Sequence, residues 1–175
     1  FGNMTDRFST EHNRVKVHPL LSLQTYYLTR ALIRLEVEPF KAVQIVTASM
    51  ASLWVLVMYV LLRLAGCLRL DALIFSVLGA CSAAAIFWLS VPEAYALGSI
   101  SIAAALSLAT LANQKKLPEW AYVAVSCFTL SATITNWMVG ILSTLVGNPW
   151  RRTFVITLIS LSVVTLFWGL EKYLF

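Results

Sequence analysis

The sequence predicts an all-α membrane protein, a polytopic bundle of about five transmembrane helices with an N-terminal interfacial helix. Of the 175 residues, 59% are hydrophobic and only 12% are charged, and the mean hydropathy is +0.80. Soluble domains carry about a quarter charged residues, so this composition excludes a water-soluble fold. The 13 basic and 8 acidic residues lie mainly in the first forty positions and in short connectors between apolar runs. The charges therefore mark the loops.

The N-terminal part divides at Pro19. Residues 1–18 are polar and mixed in charge, which predicts an external loop in water or at the membrane surface. In residues 19–38, Leu21 and Leu28 alternate with Gln24 and Arg30 at helical spacing. This pattern predicts an amphipathic helix that lies in the membrane interface.

Residues 40–175 form the predicted transmembrane bundle. At 1.5 Å per residue, about 20 apolar residues cross a hydrocarbon core of about 30 Å. The second span is rich in small residues between Gly79 and Ala85, so we expect it to be central in the bundle, because small residues let helices approach closely. The expected spans cover residues 40–65, 70–91, 94–112, 119–147 and 153–170.

The fourth of these segments leaves two alternatives open. Residues 119–147 form either one tilted helix or a broken one, since Thr133, Thr135 and Asn136 interrupt the apolar run. We favour the broken form, whose re-entrant return would bring the two arginines at 151–152 to the same side as the basic connectors at 63–69 and 115–116. Basic residues in short loops favour the cytoplasm, so the N-terminal loop is expected on the non-cytoplasmic side.

Four short motifs carry a resemblance to a known family. They are the loop Asn3-Met-Thr-Asp-Arg7, the step His18-Pro-Leu-Leu21, the turn Pro92-Glu-Ala-Tyr95 and the step Thr133-Ile-Thr-Asn136. With these motifs in this order, the chain resembles the bacterial polytopic C-type lipid-dependent glycosyltransferases. The resemblance is to an uncharacterised branch of that family, similar to the polyprenyl-phosphate-sugar mannosyltransferases. One proline of that family's His/Lys-Pro-Pro-Leu motif is absent here.

The resemblance implies an inverting enzyme of the bacterial inner membrane. Such an enzyme would move a sugar from a polyprenyl-phosphate donor to an acceptor hydroxyl at the non-cytoplasmic face. The expected partners are the lipid-linked sugar donor and the bilayer; no cofactor is certain, and a divalent cation is left open. A membrane helix precedes the first loop in the family, so we expect a further segment upstream of Phe1.

The chemistry needs a carboxylate to take the proton of the acceptor hydroxyl and cations to hold the phosphate. Arginine suits the phosphate because its planar guanidinium can make two parallel hydrogen bonds. The catalytic candidates are therefore Asp6 and Glu93, and the candidates for binding substrate or phosphate are Arg7, Arg14, Lys16, His18 and Tyr95.

Each candidate also has a structural interpretation. Asp6 next to an arginine can be a solvated ion pair, His18 can cap the interfacial helix, and Glu93 can stabilise a helix start through the dipole. Asn136 is expected to form an interhelical hydrogen bond. The sequence has no metal-ligand cluster and no Gly-rich phosphate loop.

The sequence also bears on nucleic-acid binding and on a non-enzymatic role. Nucleic acid is not an expected partner, because the basic residues flank apolar segments and form no stripe. The alternative to the transferase is a non-enzymatic multispan protein, such as a small transporter or an assembly subunit. A transporter would be expected to carry inverted repeats and ionisable groups at mid-membrane, and the sequence shows neither.

Overall fold

The computed structural model describes residues 2–5, 20–92 and 94–174 of the chain. Within these residues every regular element is a helix, as the composition predicts. The helices are α1 (Gly2–Thr5), α2 (Leu21–Arg34), α3 (Pro39–Leu64), α4 (Arg69–Ala80), α5 (Ala83–Ser90), α6 (Tyr95–Gln114), α7 (Glu119–Ala132), α8 (Ile134–Gly147) and α9 (Trp150–Leu174).

Three of these helices, α3, α6 and α9, are long and apolar enough to cross a membrane. The helices α4 and α5 meet at an angle of 68°, and together they would count as a fourth span. The part of the chain that the structure describes therefore has three or four helices that could cross a membrane, as a membrane protein does. The segment expected to supply another, residues 119–147, is divided at Thr133 into α7 and α8 of 14 residues each.

The helix ends follow from local sequence. Pro39 begins α3, where its missing N–H costs no hydrogen bond. Gly66, with φ of 96°, ends the same helix in a Schellman motif, since its N–H donates to the carbonyl of Arg63 and that of Cys67 to Leu62. At the end of α2, Glu36 adopts the same left-handed conformation with φ of 65°.

The helices α7 and α8 form an antiparallel hairpin whose turn is Thr133. Gly140 of α8 packs on Thr129 of α7, and Gly147 packs on Tyr122. As α8 runs from Gly140 to Gly147, its contact on α7 shifts from Thr129 back to Tyr122, so the two helices are antiparallel. The beginning of α7 and the end of α8, which form the open end of the hairpin, therefore lie at the same end of the bundle. The segment is therefore a hairpin of two helices and not a single tilted helix.

Two contacts connect the helix ends on that side. The Gln114 side chain donates from Nε2 to the carbonyl oxygen of Leu64 at 2.7 Å, which joins the ends of α6 and α3. Arg152 and Glu119 form an ion pair at 2.8 Å between Nε and Oε1, which joins the beginnings of α9 and α7. We call this side the basic end, and it carries Arg63, Arg69, Lys115, Lys116, Arg151 and Arg152. The opposite side, where α2 lies, is the α2 end.

The centre of the bundle is α6. It buries eight residues, among them Ser101 and Ala105 with no exposed area, and packs against α3, α7 and α8. The expectation that residues 70–91 would be central is wrong: α5 has no fully buried residue, and Ala83 and Ala84 are exposed. The small residues of this segment accompany the bend at Cys81, where Ser82 caps α5 by accepting a hydrogen bond from the Ala85 N–H at 3.2 Å.

Candidate functional site

Most of the predicted site residues lie outside the part of the chain that the structure describes. Among the predicted site residues, Tyr95 is the only one that the structure describes. The residues outside the described ranges are Asp6, Arg7, Arg14, Lys16, His18 and Glu93.

Tyr95 is the first residue of α6 and is 39% exposed at the α2 end. Its ring packs on that of Trp88 with centroids 4.2 Å apart, and Trp88 meets Phe87 edge-on at 4.8 Å. These three aromatic rings bracket the turn between α5 and α6. The end of α5 and the beginning of α6 therefore meet in an aromatic cluster at the α2 end.

The described residues on either side of the N-terminal loop also lie at the α2 end. Met4 is 3% exposed and belongs to the core cluster that contains Val43 of α3 and Leu97 of α6. Beyond the loop, the Leu20 N–H donates to the carbonyl oxygen of Ser131 at 3.3 Å. Both flanks of residues 6–19 are thus fixed at the end that exposes Tyr95.

Gln24 strengthens this attachment. Its Nε2 donates to the Ser131 hydroxyl at 2.9 Å, next to the turn of the α7–α8 hairpin. The first turn of α2 therefore lies over the tip of the hairpin. This position fits the interfacial helix that the alternating pattern predicts, since α2 also packs on the beginning of α3.

An apolar groove of about 680 Å³ opens between α3 and the bent pair α4–α5. Its size lies in the range of small-molecule and cofactor pockets, about 300 to 1,000 Å³. It runs from Phe40 to Val55 along α3, a length of about 22 Å at 1.5 Å per residue. The residues that line it are Phe40, Val43, Gln44, Thr47, Ala48, Ala51, Ser52, Val55, Ala80, Ala85, Ile86, Leu89, Ser90 and Pro92.

The groove begins at the α2 end. Phe40 and Pro92 line it there, next to the Pro-Glu turn. Lys41, adjacent to Phe40, pairs with Glu38 at 3.5 Å between Nζ and Oε2, and the two side chains are 69% and 61% exposed. Such an exposed pair is weak, so the Lys41 ammonium can contact an anion at the groove's mouth at little cost.

Sequence reasoning missed this groove, although a signal for it exists. Gln44, Thr47 and Ala51 recur at intervals of three to four residues along α3, and Ser52 follows Ala51, which places all four on one side of the helix. A stripe of polar and small residues within an otherwise apolar span indicates a helix face that contacts protein or a bound molecule and not only lipid chains. The matching wall could not be foreseen, because it depends on the bend between α4 and α5.

Asn136 forms the interhelical contact expected of it. Its Nδ2 donates to the Gly98 carbonyl oxygen at 2.9 Å and to the Ser101 hydroxyl at 3.1 Å. Both acceptors lie in the first two turns of α6, just below Tyr95. The hairpin thereby holds the beginning of α6 in place, and Asn136 is a positioning residue for that end of the bundle.

The described residues hold no group of three or more His, Cys, Asp or Glu side chains that could bind a metal ion. The site features on this part of the chain are therefore an apolar groove, an aromatic cluster and polar hydrogen bonds. Comparison of the chain with protein-family models, with curated proteins and with solved structures finds no match.

Proposed function

We propose that this chain belongs to a membrane glycosyltransferase that takes a sugar from a polyprenyl-phosphate donor and transfers it to an acceptor hydroxyl at the α2 end. The observation that carries the proposal is the apolar groove between α3 and the α4–α5 bend. A hydrocarbon chain gains dispersion contacts along such a surface. The groove is therefore suited to the lipid part of the donor.

The phosphate of the donor would lie where the groove begins. Phe40 and Pro92 mark this position, and Lys41 supplies a cation beside it. In this proposal Arg7, Arg14, Lys16 and His18 add further donors to the phosphate oxygens, and Tyr95 contacts the sugar or phosphate from the beginning of α6. Charge-assisted hydrogen bonds of this kind are the strong ones.

The proposed reaction is a single displacement at the sugar. A carboxylate of Asp6 or Glu93 takes the proton from the acceptor hydroxyl as the hydroxyl oxygen bonds to the anomeric carbon. The bond from that carbon to the phosphate oxygen breaks, and the electron pair leaves with the polyprenyl phosphate. Attack from the face opposite the leaving group inverts the configuration at the anomeric carbon.

We also propose a membrane arrangement. In it α3, the pair α4–α5, α6 and α9 cross the bilayer, α7–α8 enters and returns, and α2 lies in the interface. The basic end faces the cytoplasm of a bacterial cell, because basic residues collect in cytoplasmic loops. The α2 end and the proposed chemistry then face the non-cytoplasmic side.

The groove is tested with a polyprenyl phosphate that carries a benzophenone on its lipid chain. Ala85 lines the groove, whereas its neighbour Ala84 is exposed and does not. We expect Ala85→Trp to block photocrosslinking and Ala84→Trp, the matched control, to leave it unchanged. Equal crosslinking in both variants would contradict the proposed lipid site.

The chemistry is tested by transfer of radiolabelled sugar from polyprenyl-phosphate donors in membranes that contain the protein. We expect Asp6→Asn or Glu93→Gln to lower kcat by two or more orders of magnitude, the usual contribution of a general base. His18→Ala should chiefly raise KM. Full activity in all three variants would refute these assignments.

A second function, a small transporter, is favoured by one observation. The α7–α8 hairpin breaks at Thr133 inside the bundle, and broken helices line substrate and ion paths in transporters. Uptake of a soluble solute by protein-containing vesicles, abolished by Asn136→Leu and unaffected by Asp6→Asn, would favour the transporter over the transferase.

A further inference from the structure

The basic end concentrates positive charge that the protein itself does not neutralise. Six Lys and Arg side chains lie there, against two described carboxylates, those of Asp71 and Glu119. Glu119 is already engaged by Arg152 at 2.8 Å. Asp71 lies in the first turn of α4, where the helix dipole stabilises it.

Four of the six cations are exposed and available. Lys115 and Lys116 precede the hairpin and Arg151 follows it, while Arg69 begins α4 at the same end of the bundle. No described carboxylate pairs with any of these four residues. We call these four residues the collar; three of them, Lys115, Lys116 and Arg151, flank the open end of the α7–α8 hairpin.

The tryptophans next to the collar indicate its depth in the membrane. Trp120, which lies four positions after Lys116, is 72% exposed. Trp150, which is adjacent to Arg151, is 69% exposed. Arg151 lies over the Trp150 ring, 5.7 Å from its centroid. Exposed tryptophans concentrate at the level of lipid headgroups, so the collar cations lie at the depth of lipid phosphates.

We propose that the collar binds the headgroups of anionic phospholipids and thereby holds the open end of the hairpin at the membrane surface. Charge complementarity identifies the partner. In a basic cluster beside a transmembrane helix, each Lys or Arg raises the affinity for anionic lipids by about fivefold. Binding of this kind is independent of the transferase proposal, since the collar and the groove lie at opposite ends of the bundle.

The test uses the protein reconstituted in vesicles of equal parts phosphatidylglycerol and phosphatidylcholine. Lipid retained after gentle detergent extraction is counted by native mass spectrometry. We expect the ratio of retained phosphatidylglycerol to phosphatidylcholine to be well above one, and Lys115→Gln/Lys116→Gln/Arg151→Gln to lower it about tenfold or more.

Two variants serve as controls. Arg30→Gln/Arg34→Gln removes two cations at the α2 end and should lower the ratio less than the triple variant does, because the collar cations remain in place. Lys115→Arg/Lys116→Arg keeps the charge and should keep the ratio, which separates loss of charge from faulty folding. Several outcomes would overturn the proposal: a ratio of one in the native protein, a triple variant that retains the native ratio, or displacement of the lipid by inorganic phosphate at equal concentration, which would indicate a site for free anions.

Discussion

The side chain of Asn136 and the backbone of Gly98 are joined by a hydrogen bond of 2.9 Å between the amide nitrogen and the carbonyl oxygen. The contact connects α8, the second helix of the α7–α8 hairpin, to the helix at the centre of the bundle. Gly98 allows it, since a side chain there would lie 3.3 Å from the same nitrogen. The hairpin therefore helps to fix the beginning of α6, which carries Tyr95.

We expect Asn136→Leu to destabilise the fold by about 1 to 2 kcal/mol, because it removes two interhelical hydrogen bonds inside the membrane. Unfolding by sodium dodecyl sulfate in mixed micelles measures this change. Thr135→Val, at the exposed neighbouring position, is the control and should change the free energy of unfolding by less than about 0.5 kcal/mol. Equal effects at the two positions would contradict the structural role of Asn136.

The close approach of α7 and α8 depends on two glycines. A methyl group at Gly140 would overlap the Thr129 hydroxyl, and one at Gly147 would overlap the Tyr122 hydroxyl. We expect Gly140→Ala and Gly147→Ala each to lower the free energy of unfolding by about 1 to 3 kcal/mol through overpacking. Thermal unfolding in detergent would detect this loss.

Gly169 provides the matched control for these two substitutions. It lies in α9 with open space around it, so Gly169→Ala should raise stability by up to about 1 kcal/mol through helix propensity. Part of the Gly140→Ala loss should be recovered in combination with Thr129→Ala. A Gly140→Ala protein as stable as the Gly169→Ala protein would disprove the tight hairpin contact.

The re-entrant path makes a prediction about accessibility. Single cysteines at Asn113 and Asn148, in a background without the three native cysteines, should react with an impermeant maleimide from the same side of sealed vesicles. A cysteine at Glu38 should react from the opposite side. If positions 38 and 148 are labelled from one side, residues 119–147 cross the membrane once and the hairpin is wrong.

Glu36 carries a conformational strain that glycine would relieve. Its φ of 65° is left-handed, which costs a side-chain-bearing residue about 1 kcal/mol. We therefore expect Glu36→Gly to raise the free energy of unfolding by up to about 1 kcal/mol, visible as a higher Tm in detergent. Glu38→Gly, where φ is −53°, is the control and should give no increase.

The helical segments could be predicted from the sequence because the apolar runs are bounded by the Pro and Gly residues that commonly begin and end helices. Pro39 and Gly66 bound α3 within one or two residues of the expected span. The bend at Cys81 was not predicted, because Ser82 as a helix cap is inconspicuous within a run of small residues. Hydropathy alone sums over that run and returns a single straight span.

For the hairpin, the sequence predicted the break but not the tertiary contacts of the residues around it. Thr133, Thr135 and Asn136 suggested a break, and the structure has one at Thr133. Which residues Asn136 would meet depended on how α6 lies beside α8, a relation between positions 38 residues apart. The groove likewise needs two distant segments, and no local pattern encodes their separation.

In the proposed membrane arrangement, in which α4 and α5 form one span, the bend between them would alter the bilayer beside it. Measured along the axis of α4, the 12 residues of α4 and the 8 residues of α5 at 68° rise together only about 22 Å, short of a hydrocarbon core of about 30 Å. Lipids that border this side of the protein must compress to avoid exposing acyl chains. The membrane is then thinnest next to Ala85, and a long-chain lipid there would carry its headgroup several ångströms deeper than its neighbours do.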